Sequence, residues 1–127
     1  RELAAGTPMR EMFLAVLREV IPLTDTTRTQ LVVQLALFTA HPDSAPIRES
    51  INDAGTKLDQ LCTDIVGQLR PDLDLTGDTS AELATDLRVA LDGIALRCLE
   101  NPAFATDATG RGADAALTRA LDRVAEA

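Results

Sequence analysis

The sequence predicts an all-α fold of about five helices, and three observations carry that prediction. Apolar residues recur at three- and four-residue spacing along most of the chain. No segment alternates apolar and polar residues with the period of two that a half-buried strand requires. Pro22, Pro42, Pro71 and Pro102 interrupt the pattern at intervals that leave helix-length segments between them. At 127 residues the chain is read as one domain, 1–127, long enough to bury a real core. Apolar residues make up 46% of it and aromatics only 2%, so Leu, Val, Ile and Ala must build that core.

A first helix is expected from about Pro8 to Val20, with Met9, Met12, Phe13, Val16, Leu17 and Val20 at helical spacing. Pro8 suits a first turn, where its missing N–H costs nothing. Thr24 and Asp25 then offer an N-cap for a second helix, Asp25 to Ala40. Leu31, Val32, Val33, Leu35, Ala36, Leu37 and Phe38 leave this helix almost no polar face, which predicts a central helix enclosed by the others. Gln34 is its only strongly polar interior residue, and His41-Pro42 close it.

The third helix runs from about Asp43 or Ala45 to Leu69, on a regular alternation through Ile47, Ile51, Ala54, Leu58, Leu61, Cys62, Ile65, Val66 and Leu69. A polar loop follows from Pro71 to Ser80, with Thr79 or Ser80 expected to cap a fourth helix that ends near Glu100. Asn101-Pro102 breaks it. A short connection, Ala103–Gly112, leads to a last helix with Ala113, Leu117, Ala120, Leu121 and Val124 on one face.

The fourth helix is apolar on more than one side. Leu83, Leu87, Ala90, Leu91, Ile94 and Cys98 make one stripe, while Val89 and Leu96 lie away from it with Gly93 beside Val89. A glycine inside a helix costs about 1 kcal/mol relative to alanine, so close approach of another backbone is its natural reason. A second helix, from a second subunit, would supply that backbone.

The stretch Asp92-Gly93-Ile94-Ala95-Leu96, closed by the Pro102 turn and followed by one more amphipathic helix, resembles the end of the regulatory domain of tetracycline-repressor-family transcription regulators. Helix order and spacing extend the resemblance over essentially the whole chain. It implies an orthogonal, bundle-like C-terminal domain in which the last two helices pair with their twofold mates as a four-helix bundle. It also implies a homodimer, a cavity among the first four helices for a small hydrophobic or amphipathic effector, and a helix-turn-helix DNA-binding head. No such head lies in these residues. A chain beginning at Arg1 reads as an excerpt, its contact with DNA made only through that missing N-terminal domain.

Charge and residue usage narrow the function further. The net charge is −8 and the arginines are scattered among Asp and Glu, unlike the clustered cations that displace counterions from phosphates. Cys62 and Cys98 sit in apolar helical patterns and read as buried reduced thiols of a cytoplasmic protein rather than a disulfide. No apolar run reaches the length of a membrane span. The single histidine, His41, has no Glu or Cys at metal-ligand spacing. The serines stand in capping or surface contexts, and no Glu-x-x-His pair suits a di-iron bundle. Asp72 to Asp78 begins like a calcium loop, but Leu83 stands where the bidentate Glu belongs. Neither an enzyme, a cofactor nor a metal site is expected.

For the effector cavity the candidates are apolar faces interrupted by polar groups: Met12, Phe13, Gln34, Phe38, His41 and Cys62. For the dimer interface they are Val89, Gly93 and Leu96 of the fourth helix with Leu117, Leu121 and Val124 of the last. The alternative is a helical interaction bundle without a small ligand, which a solid core around Gln34 would favour.

Overall fold

The computed structural model describes residues 7–127, with side chains from Met9 onward; the first six residues of the expected 1–127 domain lie outside these. The described residues form α1 (Thr7–Val20), α2 (Asp25–Ala40), α3 (Ala45–Leu69), α4 (Asp78–Glu100), α5 (Pro102–Thr106) and α6 (Ala113–Glu126), with no strand among them. The additional element, α5, is one short turn of helix inside the expected connection. Asn101 nucleates it by accepting the Ala103 N–H at 3.2 Å, with Pro102 in its first turn.

The core lies between α1, α3, α4 and α6. From α4, Leu87, Leu91, Ile94 and Cys98 point inward, the stripe that the spacing predicts. They meet Cys62, Ile65 and Val66 of α3 and Ala113, Leu117, Ala120, Leu121 and Val124 of α6. Phe13, Leu17 and Ile21 close the remaining side from α1 and the turn after it. Each fully buried leucine or isoleucine here is worth about 2–5 kcal/mol on truncation to alanine. Leu117, Leu121 and Val124 are 0, 2 and 3% exposed, so the last helix's apolar face serves its own chain. Within this chain these three residues of the expected interface are packed into the core.

Polar contacts fasten the ends of α6. Arg18 holds Asp114 through Nε and Nη2, and Arg10 pairs with Asp122, both from α1. Arg70, just after α3, donates to the carbonyls of Val124 and Ala127 while its other edge is engaged by Asp72. Cationic donors at these unsatisfied carbonyls complete a C-terminus that has no intrahelical partners.

α2 departs from expectation. It caps well: the Thr27 N–H donates to Thr24 Oγ1 and the Thr24 N–H to Thr27 Oγ1, a reciprocal box. Yet it buries no residue and touches only α3 and α4, rather than lying enclosed among the others. Val32 and Val33 are about half exposed, and Leu37 and Phe38 little less. An all-round apolar helix specifies that a cover exists, not that the same chain supplies it.

The start of α4 also differs. Asp74 accepts the Thr76 N–H and hydroxyl at 2.9 and 2.8 Å, folding the loop tightly enough that Gly77 becomes the N-cap. Ser80 therefore lies inside the helix, buried, its hydroxyl donating to the Asp74 carbonyl at 2.8 Å.

Candidate functional site

A groove of about 650 Å³ is bounded by α2, α3, α4 and the turn between α1 and α2. Helical spacing builds each wall. Leu31, Gln34 and Leu35 share one face of α2; Ile51, Ala54, Gly55, Leu58 and Leu61 share one face of α3. From α4 come Arg88, Asp92, Ala95, Leu96 and Leu99, again at three- and four-residue steps. Val20 and Pro22 close one end, where Arg28 donates to the Leu23 carbonyl at 3.1 Å and pairs with Asp25. A volume of this size falls within the roughly 300–1,000 Å³ of small-molecule sites, as does an apolar lining with a few polar groups.

Arg88 organises the α3–α4 side. Its Nε donates to Asp92 at 2.9 Å, and its Nη1 donates both to the Gly55 carbonyl at 2.9 Å and to Asp59 at 2.6 Å. The two carboxylates raise the guanidinium's affinity for its proton, hydrogen bonding to Asp92 contributing most. Beneath the groove, Cys62 is wholly buried and its thiol is pushed up to about 11 by desolvation. Burial also raises the Cys98 thiol, and both cysteines are free. Such thiols pack as small apolar groups and stay protonated. Among the described residues, no three His, Cys, Asp or Glu converge as metal ligands, and no helix is long and apolar enough to cross a membrane.

Of the six residues expected in the cavity, the groove takes Gln34 alone. Phe13 and Cys62 face the core instead. Met12, one step of about 100° from Phe13 on α1, points outward and is more than half exposed. Phe38 and His41 lie beyond the groove-lining part of α2; His41 is the C-cap, exposed, its N–H donating to the Leu37 carbonyl at 2.9 Å. Spacing alone does not single out Arg88 and Lys57, because charged positions on amphipathic helices read as solvated surface, nor Ile51 and Leu58, because apolar positions on the α3 stripe read as plain core. An arginine four residues before Asp92, next to an apolar stripe, is the signal that was there to use.

The second face of α4 stays open. Val89 is 63% and Leu96 56% exposed, and a Cβ built on Gly93 meets no atom within 4 Å. Among the described residues, no other element approaches the Cβ position of Gly93 within 4 Å.

An all-helical domain of this order, with a buried terminal helix and a three-helix groove, is a C-terminal domain of the tetracycline-repressor class, a class that regulates transcription. More narrowly, residues 8–126 match the family described as BetI-type transcriptional repressor, C-terminal, and the chain belongs to that family. No curated protein and no solved structure matches the chain significantly.

Proposed function

We propose that this domain is the effector-sensing and dimerisation part of its regulator. A small, largely apolar molecule binds in the groove between α2, α3 and α4, and two copies associate through the outer face of α4 at Val89 and Gly93, with Leu96 on the edge that this face shares with the groove. The observation that carries the reading is the groove beside Gln34, whose amide makes no hydrogen bond among the described residues. A solid interaction bundle would have filled that space. Family membership supports both halves of the reading, since domains of this class generally dimerise and respond to effectors.

The binding energy acts only through a difference between states. A ligand that bridges α2 to α3 and α4 favours the arrangement in which those walls are closed, and α1 and α2, joined at Pro22, move with it. DNA binding by a head joined to α1 then changes with occupancy.

The test uses the fluorescent probe anilinonaphthalene sulfonate. It should bind with saturable stoichiometry, and Ala54→Trp, which fills the groove from α3, should abolish binding while leaving the melting temperature within a few degrees. Undiminished binding to the folded variant would reject the groove as the site.

A further inference from the structure

We infer that the groove is built for an amphipathic ligand with an acidic, carboxylate-type end, held by Arg88 and Lys57. This rests on the reading of the groove as the effector site and goes on to name the ligand's class. Three side chains that line the groove keep hydrogen-bond donors without an acceptor among the described residues. Arg88 uses Nε and Nη1 on Asp92, Asp59 and Gly55, but its Nη2 donates no hydrogen bond among the described residues. The Lys57 ammonium has no ion-pair partner there, and the Gln34 amide is likewise unpaired. The opposite inventory is poor. Asp92 is the one carboxylate lining the groove, and its Oδ1 already accepts from Arg88. Asp59 also accepts from Arg88 but does not line the groove.

Counted with both carboxylates that Arg88 engages, the cations of this otherwise aliphatic wall are balanced, but Lys57 has no carboxylate of its own among the described residues and is the charge left for a ligand. An unpaired cation of this kind complements an anion. An arginine edge with free donors suits a carboxylate's planar oxygens, and a flexible lysine at the rim adds a second charge-assisted contact. A cationic ligand finds the reverse. Recognition of quaternary ammonium groups uses aromatic faces, and no aromatic residue lines this groove. The aliphatic remainder, Leu31, Leu35, Leu58, Leu61 and Leu99 among it, accepts a hydrocarbon body.

The experiment compares three amphiphiles of equal chain length by calorimetric titration of the whole chain below their micellar concentrations: dodecanoate, dodecanol and dodecyltrimethylammonium. Dodecanoate should bind roughly tenfold or more tightly than the other two, the factor expected for a hydrogen bond to a charged group. Lys57→Met, at an exposed position that ties no helices together, should remove part of that preference. Arg88→Met should remove more, with circular dichroism to show that the fold survives; Arg88→Lys should restore part. Equal affinity for the alcohol or the ammonium compound would overturn the acidic-ligand inference while leaving the groove as a site. Dodecanoate binding that survives Ala54→Trp would place the acid elsewhere and overturn it as well. If none of the three binds, the groove reading and this inference fail together.

Discussion

Arg18 and Asp114 join the first helix to the last across 96 positions of sequence, Nε to Oδ1 at 2.6 Å and Nη2 to Oδ2 at 3.0 Å. Both side chains remain nearly half exposed, so water and salt screen the pair. Asp114→Asn should cost about 0.5–1 kcal/mol in chemical denaturation, and a double-mutant cycle with Arg18→Ala should return most of that as coupling. The guanidinium holds the Asp114 carboxyl below the usual carboxylate range, chiefly by hydrogen bonding. A folded-state pKa lower than the unfolded one stabilises above the unfolded value, near 3.9, and that stabilisation disappears as pH falls through the folded value. The wild type should therefore lose more stability than Asp114→Asn between about pH 5 and pH 2. Parallel acid-denaturation curves would remove the pair from the account.

Gly93 separates the needs of one chain from those of two. A Cβ there meets nothing within 4 Å among the described residues, so Gly93→Leu should leave the monomer as stable, or about 0.5–1 kcal/mol more so through helix propensity. If a second α4 approaches at this point, the same change should shift sedimentation toward monomer. A dimer of unchanged affinity would move the interface away from Gly93.

Gln34→Leu keeps the shape of the groove wall and removes its amide. The residue is half-buried and makes no hydrogen bond to the described residues, so thermal stability should change by no more than about 0.5 kcal/mol. Affinity for a ligand with a polar end should fall by about tenfold, the worth of a hydrogen bond left unmade. Measured by probe displacement and by melting on the same samples, equal losses in both would make Gln34 a structural residue.

The two thiols give a fourth expectation. With Cys62 raised to about 11, it and Cys98 should resist maleimide labelling at pH 8 in the folded protein and react together on unfolding. Because burial raises the folded pKa of Cys62, its contribution to stability is complete below the unfolded value, near 8.5, and is lost as pH rises toward 11. Prompt labelling of Cys62 in the native state, followed by mass spectrometry, would contradict the burial.

Much of this was legible before any coordinates. The proline and glycine punctuation and the 3–4 spacing give α1, α3, α4 and α6 to within a few residues, and the inward stripe of α4 from Leu87 to Cys98 follows from period alone. What escaped has one physical cause. Periodicity says which side chains need cover, but not which body covers them. Hence period alone does not say that Leu117 and Val124 pack into the core of their own chain, nor that α2 lies at its edge rather than its centre. Gln34 could be found because a lone amide in an apolar helix demands explanation. Arg88 is only half legible: its step to Asp92 is visible in the sequence, but its partners Gly55 and Asp59 come from another helix.

The marginal seating of α2 bears on how the domain breathes. A helix with no fully buried residue is retained mainly by its caps and by one apolar edge, so its amides should open to exchange at lower free energy than those of α4 or α6. The same helix is one wall of the groove. A guest lodged between α2 and the other walls would slow that opening in proportion to its occupancy, turning a chemical concentration into the lifetime of one helix.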